Sequence, residues 1–292
     1  MTATRDPVAI RVVGVRIAGG RLSDDLRAVR VVWKRELIRF FRSRIRMITS
    51  LAQPILFLFV LGTGLAGVVP RAPGSVDYRT YMFPGVLAMT VLFSAMFSSI
   101  SIVWDREFGF LREMLVAPVR RTALVVGKCI GGATVATIQG AMILVLAGLV
   151  HVPYDPILLL ELFGILLMTS VAITAFGAMI ASRMEQVESF QMIMQMIVLP
   201  MFFLSGAMFP LTRLPDWLRI LTRLDPLSYA VDPMRRAVIN ALPNSGAGVL
   251  RRLDPGITWG GWHVPMWAAL GVVALFALSS LTAAAIAFNR TE

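Results

Sequence analysis

Few side chains in this sequence have the type and spacing that catalysis or nucleotide binding requires. A phosphate-binding loop reads GxxxxGK followed by Ser or Thr, because its backbone amides and lysine hold the phosphates. The nearest match, Gly127-Lys128, lacks both the earlier glycine and the hydroxyl residue that should follow. We therefore predict that the chain is not an enzyme, carries no catalytic residue and does not hydrolyse ATP by itself.

Side chains that bind metals or carry protons are equally sparse. His151 and His263 are far apart and lack the HExxH spacing of a zinc site. The single cysteine, Cys129, excludes a disulfide within the chain and a cysteine-rich metal site. The acid that lies inside an apolar run, Glu161, is close enough to its outer end to reach the interface. We predict no metal and no cofactor on this chain, and proton coupling is not the leading mechanism.

Uncharged polar residues within the apolar runs could contact a polar substrate. Ser94 and Ser98 share one helical face, and Gln191 and Gln195 share another, because residues four apart lie on one side of a helix. Stripes of small and polar residues also let membrane helices pack closely. Two interpretations therefore remain open, namely helix packing and the lining of a substrate path.

A strongly apolar chain must position these side chains. It is 57% hydrophobic and 15% charged, whereas soluble domains carry about 25% charged residues. Its apolar runs approach or exceed the roughly 20 residues that cross a bilayer as a helix. We predict an all-α integral membrane protein with six spans, at residues 47–68, 80–103, 123–150, 157–182, 189–209 and 264–288. The domains are then an N-terminal segment, 1–46, a transmembrane domain, 47–288, and a tail, 289–292.

Basic residues are unevenly distributed between the two sides of these spans. Nineteen of the 28 Lys and Arg residues fall on the side that holds both termini. Short cytoplasmic loops keep an excess of such residues, so we predict cytoplasmic termini in a multi-pass protein of the plasma or inner membrane. This asymmetry accounts for the net charge of +11, and we expect no nucleic-acid partner.

Three segments outside the spans also have a pattern. From Leu22 to Arg46, apolar residues recur at three and four, which predicts an amphipathic helix in the plane of the membrane. Trp104 to Lys128 mixes charges with large apolar residues, which predicts a helix that enters another protein's groove or rests on headgroups. Phe209 to Asn240 is too polar to span, and we predict short helices that dip into or lie on the outer leaflet, one of them ended by Asp225-Pro226.

The segment between spans two and three resembles the corresponding loop of ABC-2 type export permeases, especially the daunorubicin-resistance and nodulation-factor branch. Two further stretches agree, Trp33 to Leu37 and Leu204 to Tyr229, so the resemblance covers residues 25 to 290. The loop residues that carry it are Glu107, Gly109, Glu113, Met114-Leu115, Ala117-Pro118-Val119 and Gly127-Lys128.

This resemblance implies the permease half of an exporter, which forms a homodimer and binds a separate ABC ATPase subunit that holds ATP and Mg. The substrate would be an amphipathic drug, lipid or lipid-linked glycan, as in multidrug and antibiotic resistance. By the same resemblance the coupling helix would contain Glu107, Gly109, Arg112 and Glu113, with Arg35 and Glu36 beside the ATPase. The run after span five would be a re-entrant outer element. The alternative function is a secondary multidrug carrier driven by an ion gradient.

Overall fold

The computed structural model describes residues 22–66, 77–109, 120–210, 215–242, 256–259 and 261–290. A π-helical turn, Phe57–Leu61, continues the helix that ends at Leu56, and a 3-10 turn, Ala147–Val150, follows the helix that ends at Leu144. Two short antiparallel strands, β1 Thr258–Trp259 and β2 Trp262–His263, precede the last helix. The helices are α1 Leu22–Arg42, α2 Arg44–Leu56, α3 Gly62–Ala66, α4 Tyr78–Glu107, α5 Arg121–Leu144, α6 Pro156–Ala181, α7 Val187–Leu204, α8 Asp216–Leu224, α9 Ser228–Ala241 and α10 Met266–Arg290.

Six helical stretches of the described residues are long and apolar enough to cross a membrane, and they confirm the predicted all-α fold. They are Met47–Gly64, Tyr78–Glu107, Arg121–Leu144, Pro156–Ala181, Val187–Leu204 and Met266–Phe288. Three helix ends differ from the predicted span ends by four to six residues, and one of them is the end of span five, which lies at Leu204 instead of residue 209. Span two continues as helix to Glu107, and the helix of span three ends at Leu144, before a 3-10 turn and a left-handed residue, His151 with φ 60°.

The centre of the bundle is formed by α4, α5 and α6, whose inner faces are closed by small residues. A Cβ added at Gly132 of α5 would lie 2.8 Å from both Ser98 Oγ and Thr174 Cγ2. One added at Gly177 of α6 would lie 2.4 Å from Ser99 Oγ. Helices that must approach this closely in a membrane require small residues at the contact, so these glycines serve packing.

The N-terminal helix α1 packs against α5. Its fully buried residues are Val32, Glu36 and Phe40, which lie four apart on one face. Leu22 and Leu26, which the sequence pattern places on the apolar face, are exposed. Trp33 Nε1 donates a hydrogen bond to Thr134 Oγ1 at 3.1 Å. The predicted amphipathic helix is therefore present, but the face that it buries is centred on a glutamate.

At the opposite end of the bundle, α8 and α9 follow span five. A helix ended by Asp225-Pro226 is predicted, and α8 ends at Leu224. α9 is mostly buried, and its Arg235 donates hydrogen bonds to the carbonyl oxygens of Gly206 at 2.5 Å and Ala207 at 3.4 Å. The guanidinium also lies 4.4 Å from the centre of the Tyr81 ring. Arg235 thus joins α9 to the end of span five and the start of span two.

Candidate functional site

A cluster of charged side chains, three of them buried and two partly exposed, joins three helices at the end of the bundle that holds the N-terminal helix. Its centre is Asp105, near the end of α4, which is 2% exposed. Asp105 Oδ2 accepts a hydrogen bond from Arg35 Nη2 of α1 at 2.6 Å and forms an ion pair with Lys128 Nζ of α5. Lys128 Nζ also donates to the carbonyl oxygen of Ser101 at 2.9 Å. One carboxylate therefore ties α1, α4 and α5 together.

A second carboxylate, Glu36, lies beside this group on α1. Its Oε1 is 3.8 Å from Arg35 Nη2 and 3.7 Å from Arg39 Nη1. Burying an unpaired charge costs several kcal/mol, and breaking one partner of a buried pair is strongly destabilising. We call Arg35, Glu36, Arg39, Asp105 and Lys128 the junction cluster; it holds three cations and two carboxylates.

Two glycines of α5 allow α1 to approach the cluster. A Cβ added at Gly127 would lie 3.0 Å from Val32 Cβ, and one added at Gly131 would lie 2.8 Å from Glu36 Cβ. Real Cβ atoms essentially never come within the latter distance. The spacing of four residues places both glycines under the same face of α1, so the sequence of α5 fixes where the junction cluster can form.

The last turn of α4 also holds the start of span five. Glu107 accepts a hydrogen bond from the backbone N–H of Val187, the first residue of α7, at 2.9 Å. A carboxylate at a helix N-terminus satisfies a free N–H group and suits the positive end of the helix dipole. Arg106 Nη1 donates to the carbonyl oxygen of Met184 at 3.0 Å. Movement of this turn would therefore reach span five as well as α1 and α5.

The structure places the residues of the predicted coupling region as follows. Glu107 ends α4, and Gly109 adopts a left-handed φ of 78° that favours glycine. Arg112 and Glu113 lie outside the described residues. Arg35 and Glu36 are directed towards α4 and α5, and their contact with an ATPase remains a prediction.

Sequence reasoning missed the pairing of Asp105 with Lys128. A signal was present, because Asp105 follows the end of one apolar run and Lys128 lies near the start of the next, and consecutive spans place these two ends on the same side of the membrane.

A cavity of about 410 Å³ lies between α1, α2, α4 and α5, next to the junction cluster. Ser94 and Ser98, two of the predicted substrate-path residues, line it together with Glu36, Gln53 and Gln139. The other two, Gln191 and Gln195, are exposed on α7 and do not line this cavity. The structure therefore separates the four residues into two groups. Among the described residues, no three His, Cys, Asp or Glu side chains lie close enough to hold a metal ion.

At the other end of the bundle, Asp225 is a buried carboxyl group that caps the turn between α8 and α9. Its Oδ1 accepts from Leu227 N at 3.0 Å and its Oδ2 from Ser228 Oγ at 3.2 Å. Burial raises the pKa of Asp225 to about 7, and these hydrogen bonds offset only part of that effect. The group therefore titrates near neutral pH.

Comparison with known proteins gives consistent matches. The model of the ABC-2 type transporter family matches residues 27–239. A putative transport permease ycf38 of Cyanophora paradoxa is 29% identical over 212 residues, covering 70% of this chain and 72% of the relative. Nodulation protein J of Rhizobium leguminosarum bv. trifolii is 29% identical over 208 residues, covering 70% and 78%. The ycf38 permease of Porphyra purpurea is 24% identical over 268 residues, covering 88% and 89%.

Proposed function

The chain belongs to the ABC-2 type transporter family, and from this premise we propose that it is the membrane subunit of an exporter. Its substrate is an amphipathic drug, lipid or lipid-linked glycan, which it moves out across the plasma membrane. A separate ABC ATPase subunit binds ATP and Mg and supplies the energy. Two copies of the permease form the transport path, and both termini of each copy lie in the cytoplasm.

The observation that supports this proposal most directly is the convergence of three other helices on the last turns of α4. Asp105 contacts α1 and α5, and Glu107 contacts the first residue of α7. The chain after α4 is the segment that carries the family resemblance. An ATPase that pushes on this segment would displace the end of α4. The ion pairs of Asp105 would pass that displacement to α1 and α5, and the hydrogen bond of Glu107 would pass it to α7.

This geometry supports a more specific role for Arg35 and Glu36. Both side chains are used within the chain. Arg35 joins α1 to Asp105 of α4, whereas Glu36 pairs with Arg35 and Arg39 of its own helix and packs over Gly131 of α5. The opposite face of α1 exposes Val31, Ile38 and Phe41. We infer that this exposed face meets headgroups or the ATPase, whereas Arg35 and Glu36 transmit its movement to α4.

Reversing charges in the coupling segment tests the proposal. Glu107→Lys combined with Glu113→Lys should abolish the stimulation of ATP hydrolysis that the permease causes in its ATPase partner. Membrane insertion should be retained, as judged by the yield of folded protein in the membrane fraction. Glu161→Lys, at the far end of α6, is the matched control. If stimulation and export survive both reversals, the coupling assignment is wrong.

The energy source is tested separately by purification from the native membrane. The proposal requires an ATPase subunit that co-purifies with the chain and transport that vanadate inhibits. A secondary carrier would instead transport by itself when an ion gradient is imposed. Transport that persists without any ATPase subunit and follows the gradient would contradict the proposed function.

A further inference from the structure

The cavity beside the junction cluster has the size and the walls of a ligand site. Its volume of about 410 Å³ falls within the range of about 300–1,000 Å³ that pockets for small molecules occupy. Phe40, Phe93, Phe97 and Trp104 contribute aromatic rings to its lining. Phe97 and Trp104 are also partly exposed, so the cavity opens to the surroundings of the bundle on their side.

Most polar groups of the cavity are uncharged hydroxyls and amides. Thr49, Ser50, Gln53, Ser98 and Gln139 line it. Gln139 Nε2 donates to Ser50 Oγ at 2.5 Å, which orients the amide and joins α5 to α2. Side chains of this kind can both donate and accept hydrogen bonds, so they suit a ligand that carries hydroxyl or amide groups.

Glu36 and Arg39 are the charged side chains that line the cavity. Glu36 is 6% exposed, yet its Oε1 accepts no hydrogen bond from the described part of the chain. The two guanidinium nitrogens that neutralise it are 3.7 and 3.8 Å away, beyond hydrogen-bond distance. A buried acceptor without a donor loses the hydrogen bonds that water would give it, which is unfavourable. A ligand that donates a hydrogen bond to Glu36 would replace one of those hydrogen bonds.

The surrounding charges select against a cationic donor. The junction cluster has three cations and two carboxylates, so a bound ammonium group would add to a positive surplus in a poorly solvated place. An anionic headgroup could pair with Arg39, but it would leave Glu36 without a donor and would be repelled by its carboxylate, whereas a hydroxyl or amide group donates to Glu36 without adding charge. The ring C–H groups of a sugar headgroup can also pack on the negative faces of aromatic side chains.

We propose that this cavity binds the uncharged, hydroxyl-rich or amide-rich headgroup of an amphiphile, of which an alkyl glycoside is the simplest example. Glu36 accepts a hydrogen bond from the headgroup, the aromatic rings cover its C–H faces, and the apolar tail leaves past Phe97 and Trp104. The site lies within one copy of the chain. Its role as the place where substrate is taken up rests on the proposed export function.

The test is equilibrium binding to the full chain in lipid nanodiscs, with binding to empty discs subtracted. The probes are radiolabelled octyl glucoside, octyl phosphate and octyltrimethylammonium, which share one tail and differ in headgroup charge. Octyl glucoside should bind most tightly. Ser94→Phe, which fills the cavity, should weaken its binding by at least about tenfold. Ser279→Phe, on the exposed face of α10, should leave it unchanged.

Glu36→Gln separates a neutral from a cationic ligand, because the amide oxygen still accepts a hydrogen bond but carries no charge. Glucoside binding should stay within about threefold of the wild-type value, less than the tenfold that corresponds to 1.4 kcal/mol. Tighter binding of octyltrimethylammonium or octyl phosphate than of octyl glucoside would overturn the proposal, as would equal effects of Ser94→Phe and Ser279→Phe. ATP-driven uptake into inverted vesicles is measured separately, so loss of transport with intact binding would count against the exporter alone.

Discussion

Gly131 of α5 lies directly beneath Glu36 of α1, and the position of a Cβ at residue 131 would be 2.8 Å from Glu36 Cβ and 3.0 Å from its Cγ. The contact is with the Cβ and Cγ atoms of Glu36, and a Cβ atom cannot move away by rotation of the side chain unless α1 itself moves. The position of the N-terminal helix on the bundle therefore depends on the absence of one methyl group.

Gly131→Ala should destabilise the protein by about 1–3 kcal/mol, because overpacking a closed contact forces the backbones apart. The midpoint of thermal unfolding in a fixed detergent or nanodisc checks this. Gly164→Ala, on α6, is the matched control, since no atom lies within 4 Å of its added Cβ. If the unfolding midpoint of Gly164→Ala falls as far as that of Gly131→Ala, the loss comes from replacing a helix glycine in general and not from this contact.

Lys128→Met should cost about 3–5 kcal/mol, because it leaves the buried Asp105 carboxylate with one cation fewer. The same substitution in an Asp105→Asn background should cost clearly less. Unfolding free energies of the four proteins in this double-mutant cycle measure the coupling. Additive effects would mean that the two side chains do not stabilise one another. The exposed Lys34→Met serves as the control for loss of a lysine.

Arg235→Met should destabilise the end of the bundle that contains α8 and α9 by about 2–4 kcal/mol, since it removes charge-assisted hydrogen bonds to backbone carbonyls and a cation–π contact. Thermal unfolding followed by tryptophan fluorescence is suitable, because Trp259 and Trp262 lie in the adjacent hairpin. Arg219→Met removes a largely exposed ion pair with Asp216 and should have little effect. Equal losses in both variants would contradict a special role for Arg235.

Asp225→Asn should change how stability depends on pH. The folded-state pKa of Asp225 is raised from 3.8 to about 7. The stability contributed by the protonated group is therefore fully present below pH 3.8 and is lost as the pH rises through about 7. The variant should lack this loss and be more stable than the wild type at pH 8, by up to about 4 kcal/mol.

Unfolding midpoints between pH 4 and pH 8 measure the Asp225 effect. Asp216→Asn changes an exposed carboxylate, whose side chain is 93% accessible, and should keep the wild-type slope. An identical pH dependence in wild type and Asp225→Asn would mean that Asp225 ionises at an ordinary pKa.

The sequence by itself determined the six spans and the family. Span prediction succeeds because it depends on the local length and apolarity of each run, which must match the bilayer whatever the neighbours are. The loop motif around Glu107 and Gly109 is local in the same sense. The end of α8 at Leu224 could also be predicted, because Asp225-Pro226 cannot continue a helix.

Only the tertiary structure decided which polar side chains meet. Arg35 and Asp105 are 70 positions apart in sequence yet share a hydrogen bond, and no periodicity of either helix encodes that contact. The amphipathic pattern of α1 suggested that its charged residues face outward, but Glu36 is buried because Gly131 leaves room for it and nearby cations neutralise it. Ser94 and Ser98 could be placed on one face from their spacing, but their cavity exists only where four helices meet. Such sites depend on the packing of segments that are distant in sequence. The sequence encodes that packing, but no local pattern of residues reveals which segments meet.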